Sequence, residues 1–178
     1  MLDVMFPLLT YSFVPSPPLP NKEEWLDKYI QPRDGLTYIA LFEDGIPVTA
    51  AGSREMTQQV RGTCFGMSAI WGVASMPQAR RKGYAKRVMG QLLATLRQAG
   101  QPLSTLYPFR ESFYERQGYV TFPGPQVARF SPAGLLPLME KELGGWVELS
   151  LLGEAYDEYR AYLYEVQKRL PGMAVPTF

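Results

Sequence analysis

The chain has 178 residues, of which 46% are hydrophobic and 20% charged, and its formal net charge is +1. That length suits one domain, or one domain with a short appendage, and it can bury a sizeable core. The balance excludes a global pull toward nucleic acid or an anionic membrane; no run approaches the roughly 18 apolar residues of a membrane helix, and Met1-Leu2-Asp3-Val4 lacks the basic flank of a signal peptide.

Leu2 to Tyr11 is apolar and reads as a short helix interrupted by Pro7. Pro15, Pro17, Pro18 and Pro20 make a stiff, extended loop. Asn21 is placed to cap a helix over Lys22–Tyr29, with Glu23 and Glu24 in its first turn. Gln31-Pro32-Arg33-Asp34-Gly35 breaks that helix. Leu36–Glu43 then predicts a strand, Asp44-Gly45 a tight turn, and Ile46–Gln59 the returning strand. Thr63–Ser75 is a third strand, and Gly66 and Gly72 inside it point to a bulge or a close backbone approach.

From Gly83 the period changes. Ala85, Val88, Met89, Leu92, Leu93 and Leu96 recur at helical spacing until Gly100 and Pro102 end the run. Leu103–Tyr107 predicts a short strand, and Glu111–Gln117 a short helix with Gly118 as its left-handed cap. Tyr119–Phe122 and Gln126–Phe130 read as short strands around Pro123-Gly124-Pro125. Composition shifts at Ser131–Gly145. A strand over Trp146–Leu152 and a helix over Glu154–Leu170 follow, the helix carrying Tyr156, Tyr159, Leu163, Val166 and Leu170 on one face. The expected organisation is therefore a domain over 1–130, a linker over 131–145 and a strand-helix appendage over 146–178.

Histidine is absent and Cys64 is the only cysteine. Ser-His and Cys-His nucleophile pairs, His-ligated metals and an internal disulfide are thereby excluded. Cys64 itself reads as a small buried hydrophobe, and the chain as a reduced, cytoplasmic protein.

Arg80-Arg81-Lys82-Gly83-Tyr84-Ala85 stands between a buried strand and an amphipathic helix. Unpaired N–H groups and the positive dipole end at a helix N-terminus suit a pyrophosphate. Gly83 permits close approach, Ala85 keeps the next contact small, and Arg81, Lys82, Lys86 and Arg87 add positive charge. The same basic run also reads as an ordinary solvated helix face. The strand before it ends Gly72-Val73-Ala74-Ser75-Met76-Pro77, and Phe113-Tyr114-Glu115-Arg116-Gln117-Gly118-Tyr119 follows the next strand.

This succession, strand, Arg-x-x-Gly-x-Ala, helix, strand, Phe-Tyr-x-x-x-Gly-Tyr, resembles the GNAT acetyltransferase superfamily. More narrowly it resembles the amino-terminal domain of the Eis (enhanced intracellular survival) group, most strongly over 73–119. The resemblance implies an α/β (α+β) fold with a mixed, mostly antiparallel sheet flanked by helices, and acetyl-CoA bound where two parallel strands splay apart. It implies that Val73, Ala74 and Ser75 hold the pantetheine arm. Arg80, Arg81, Lys82, Gly83, Tyr84, Ala85 and Lys86 would hold the pyrophosphate, with Phe109 and Arg110 also facing the cofactor. Tyr114 would be the general acid, since a phenol can hydrogen-bond to a departing thiolate; on composition alone it also reads as a packing residue. Tyr119 reads as core.

No metal is implied. The acceptor would be a small-molecule amine or a lysine side chain, in a pocket lined from residues 10–35, with Tyr11, Phe13, Trp25 and Tyr29 as candidates. Asp27, Glu55 and the terminal carboxylate of Phe178 are the candidate bases. Against the resemblance, the chain starts inside the first helix and stops early in a second domain, so both ends read as truncated. An acyl-CoA-binding module without turnover, or a fragment whose edges pair with a second chain, are the alternatives to an enzyme. A homo-oligomer is one expected outcome of an open strand edge at Leu36–Glu43.

Overall fold

The computed structural model describes residues 2–14, 17–29, 35–122, 127–142 and 144–177. Its sheet grows from local turn chemistry. Strand β1 (Leu36–Glu43) returns as the long β2 (Ile46–Val60) through Asp44 and Gly45, whose φ values of 50° and 77° are those of a hairpin turn with both central residues left-handed. Arg61 and Gly62 repeat the device at φ 51° and 89°, feeding β3 (Thr63–Ser75) antiparallel to β2. Helix α3 (Tyr84–Gln98) then crosses over to β4 (Leu103–Thr105), which is parallel to β3. The order is β1-β2-β3-β4, so the sheet is mixed and mostly antiparallel, as expected.

Helices cover both faces. The α3 stripe of Val88, Met89, Leu92 and Leu96 is buried against Ala51 and Ile70, with Ile39, Leu41 and Val73 beside it. On the opposite face, helix α1 (Leu2–Phe13) buries Met5, Leu8 and Leu9 against Ala50 and Ala74. Each such side chain contributes roughly 1.5–3 kcal/mol when fully buried. Pro7 lies within α1 rather than ending it, and Thr10 returns its hydroxyl to the Phe6 carbonyl at 2.7 Å. Asn21 Oδ1 accepts from the backbone N–H of Glu23 at 2.9 Å and of Glu24 at 3.2 Å, capping α2 (Lys22–Tyr29) as its sequence predicts.

The second half of the chain departs from expectation. Residues 119–122 and 127–130 form no strand, and Pro123, Gly124, Pro125 and Gln126 lie outside the described residues. Residues 131–142 hold a short 3-10 turn and helix α5 (Leu136–Met139). Trp146–Leu152 is not a strand: its residues are exposed, Val147 and Leu149 completely. An alternating apolar run supplies one strand but not the partner that a ladder requires. The edge of β2 beyond β1 is instead filled by β5 (Ala174–Pro176), at Met56↔Pro176, Thr57↔Val175 and Gln58↔Ala174.

Helix α6 (Tyr156–Arg169) forms where expected, but its inward face is centred on Gln167. Leu163 and Val166 are half-buried, whereas Tyr156, Tyr159 and Leu170 are exposed. The Gln167 amide donates to the carbonyls of Thr57 at 2.9 Å and Met173 at 3.2 Å, and its oxygen accepts from Thr57 Oγ1 at 3.1 Å. Satisfying that buried amide turns the helix. Cys64 is exposed rather than buried, because it lies beside the Arg61-Gly62 turn. No helix among the described residues is long and apolar enough to cross a membrane.

Candidate functional site

The parallel pair diverges. Strands β3 and β4 pair only at Met67↔Leu103, Ser68↔Ser104 and Ala69↔Thr105, after which β3 runs on to Ser75 without β4. A register shift helps the separation: Ala50 faces Ala74 but Gly52 faces Trp71, so β3 carries one extra residue opposite Ala51. Gly72 sits in this bulge at φ 61°, a conformation open to glycine. The outcome is a cleft of about 1090 Å³ between Ile70–Ser75 on one side and Leu106, Tyr107, Phe109 and Arg110 on the other. Val73, Ala74 and Ser75 line it, and the β3 edge facing it has backbone groups that no β4 residue takes up.

At one end of the cleft lies the start of α3. Gly83 caps that helix at φ 79° with no side-chain cap, and Arg81 before it is also left-handed at φ 63°. The first bond of the α3 ladder runs from the Arg87 N–H to the Gly83 carbonyl, so the Tyr84, Ala85 and Lys86 N–H groups precede it. A Cβ on Gly83 would meet nothing within 4 Å, so the space over this turn is open. Arg80, Arg81, Lys86 and Arg110 line the cleft together with Gly83, Tyr84 and Ala85, and no Asp or Glu among the described residues does. A cationic lining with free N–H groups fits the diphosphate of a coenzyme A, and a free strand edge fits its amide-bearing arm.

Two cations of the basic run have partners within the chain. Lys82 does not line the cleft. Its ammonium lies 3.2 Å from both carboxylate oxygens of Glu43, which also accepts a short hydrogen bond from the Tyr84 hydroxyl. The bond from Tyr84, then that from Lys82, hold the Glu43 carboxyl below its usual range, and the bond to Glu43 raises the Tyr84 phenol. Glu43 thereby orients Tyr84, a role no sequence pattern announced, since it ends β1 before an ordinary hairpin. Arg80 bonds the Ser75 carbonyl at 3.4 Å and the Tyr11 hydroxyl at 3.4 Å, tying the end of β3 to α1.

An aromatic wall completes the cleft. Helix α4 (Glu111–Glu115) places Tyr114, 4% exposed, with its ring 5.6 Å from Phe109, 5.0 Å from Phe113 and 5.9 Å from Tyr119. Burial, with a smaller contribution from Tyr119, pushes the Tyr114 phenol up to about 12. Its hydroxyl makes no hydrogen bond among the described residues, and the side chain lines the cleft. Tyr114 is also a member of the buried core cluster with Val88, Met89 and Leu92, and Tyr119 packs against that cluster and shares a 2.8 Å hydrogen bond with Ser104. Of the candidate bases, Asp27 and Glu55 are exposed and outside the cleft lining, and Phe178 lies outside the described residues. Tyr11 and Phe13 line the cleft. The side chain of Tyr29 lies outside the described residues.

Residues 2–122 match the acetyltransferase (GNAT) domain family, and the chain belongs to that family. GNAT domains use acetyl-CoA as co-substrate. Among solved structures, a GCN5-related N-acetyltransferase from Kribbella flavida is 26% identical, with a TM-score of 0.56 over 66% of this chain and 30% of that one. A probable N-acyltransferase from Enterococcus faecalis V583 is 25% identical, with a TM-score of 0.56 over 66% of this chain and 29% of that one. Eis1 from Mycobacterium abscessus, 20% identical, shares the fold at a TM-score of 0.50 over 66% of this chain and 28% of that one. The aligned part of this chain thus spans under a third of each of these three proteins. No curated protein sequence matches the chain.

Proposed function

We propose that the chain is an acetyl-CoA-dependent N-acetyltransferase that acts on a primary amine by direct attack on the thioester. The observation that carries this reading is the cleft between two diverging parallel strands, whose charged lining residues among those described are all cations, with Tyr114 in its wall. The bound cofactor supplies an activated acyl carbon: the C–N bond to the amine forms, the C–S bond breaks, the amine loses a proton and the thiolate gains one. Val73, Ala74 and Ser75 hold the arm by strand-like pairing. Arg81, Gly83, Tyr84, Ala85 and Lys86 take the diphosphate, assisted by Arg80 and Arg110, and Phe109 packs beside it. Lys82 contributes through Glu43 and Tyr84 rather than by contact. The motifs over 73–119 favour a finer relation to the amino-terminal domain of the Eis group.

Tyr114 acts as a neutral donor. A phenol raised to about 12 stays protonated at every working pH, but it is a weak acid toward a thiolate, whose reference value is about 8.5. Its O–H therefore stabilises charge developing on sulfur, and water completes the protonation. With no described carboxylate on the cleft, the amine proton leaves through water. A lysine side chain would meet the same requirements as a small amine, and the chain's one thiol suits a reducing, cytoplasmic setting.

Tyr114→Phe removes a donor to the charge developing on sulfur, so it should keep coenzyme A affinity and lower turnover by roughly 100-fold. A wild-type rate in that variant would remove Tyr114 from the chemistry. The missing carboxylate favours one second reading, an acyl-CoA-binding module without turnover; coenzyme A binding by calorimetry with no acetylated product from any amine would establish it.

A further inference from the structure

A second cavity, of about 270 Å³, opens on the α1/α2 face of the sheet. Leu9, Phe13, Val14, Trp25, Trp71 and Gly72 line it, and every one is apolar. Phe13, Trp71 and Gly72 line the main cleft as well, so the two spaces share walls at the β3 bulge. Its tryptophans are braced from behind. The Trp71 ring stands edge-on to Tyr38 at 5.6 Å, and Trp25 edge-on to Phe6 at 5.5 Å.

We propose that this cavity holds the acceptor, and that the acceptor is a primary amine on an apolar, aromatic body rather than a polycation. The inference rests on the transferase reading above and names the substrate class for the same site. Two observations carry it. Apolar walls stabilise an acceptor only in proportion to the apolar area it brings, and pre-braced aromatic rings lose little freedom on binding. A polyamine or aminoglycoside would instead bring several ammonium groups into a cavity whose described lining offers no carboxylate, beside a cleft lined by four cations. Each ammonium would lose water without gaining a partner. Glu23, Glu24 and Asp27 on α2 are exposed and line neither cavity.

The test measures binding and turnover separately. Phenethylamine and spermidine are titrated calorimetrically into the full chain saturated with coenzyme A, and acetylated product is followed by mass spectrometry with acetyl-CoA. Phenethylamine should bind at least tenfold more tightly. Trp25→Ala should weaken it at least tenfold, and Val14→Asp, a change just past the end of α1, should narrow or reverse the preference while coenzyme A affinity holds. Spermidine binding as tightly as phenethylamine, or phenethylamine binding indifferent to both substitutions, overturns the proposal. Selective binding at these residues without acetylation upholds the cavity's selectivity and overturns the transferase reading instead.

Discussion

A Cβ added to Gly72 would lie 2.9 Å from Cδ2 of Leu9, so helix α1 presses directly on the bulge that opens the cleft. Gly72→Ala meets both that contact and a left-handed φ of 61°, and it should destabilise the chain by about 1–3 kcal/mol. Gly90, exposed in α3 with nothing within 4 Å of its Cβ position, should respond oppositely. Gly90→Ala should stabilise by about 1 kcal/mol through helix propensity. Urea unfolding of both variants checks the pair; equal shifts would mean that α1 does not bear on the bulge.

Gly83→Val should separate binding from folding. The Cβ meets nothing in the protein, so the folding penalty is limited to backbone strain of about 1–2 kcal/mol. A branched side chain over the start of α3 occupies the space assigned to the diphosphate, so coenzyme A affinity should fall at least tenfold by calorimetry. Wild-type affinity in the folded variant would take the cradle assignment away.

Two buried phenols predict alkaline sensitivity. Burial pushes Tyr38 up to about 12 against an opposing pull from Arg54, and Tyr114 reaches about 12 as well, from an ordinary value of 10.0. Above pH 10 the unfolded tyrosines lose protons that the folded chain retains, so stability present in full below that pH falls as pH rises toward 12. The Tyr38 hydroxyl is buried without a hydrogen-bond partner among the described residues. Tyr38→Phe should therefore be neutral or stabilising by up to about 1 kcal/mol at pH 7, with a shallower alkaline decline. Denaturant midpoints from pH 8 to 11 measure both effects, and an unchanged slope in the variant would sink the assignment of that slope to Tyr38.

Gln167→Ala should loosen the tail. It removes the side-chain donor to the Thr57 carbonyl and one of two donors to the Met173 carbonyl, at a cost of about 1–3 kcal/mol. The Gln59 N–H, bonded to the Met173 carbonyl at 3.0 Å, and the Gly172 N–H, bonded to the Gln59 carbonyl at 2.9 Å, should exchange faster. Unaltered exchange at both would show that the β5 ladder holds the tail by itself.

Features governed by near neighbours in the chain are legible in the sequence alone. Asp44-Gly45 specifies its turn because both residues tolerate positive φ, Asn21 caps α2 from two and three residues away, and the α3 stripe follows the helical repeat. The run from Arg80 to Lys86 and the aromatic Tyr114 were visible for the same reason: motif and helix start lie within a few residues.

Long-range choices belonged to the tertiary structure. Whether Lys82 reaches the cleft depended on Glu43, a carboxylate 39 positions earlier that captures it. Which segment became the added strand depended on a vacant edge of β2. The long apolar run at Trp146–Leu152 remained unpaired, while short Ala174–Pro176, tethered through Gln167, filled the place. A strand is stabilised by a partner rather than by its own alternation, and a charged side chain goes to the nearest opposite charge the fold presents. Neither is encoded in local spacing, because both require knowing which distant backbone arrives alongside.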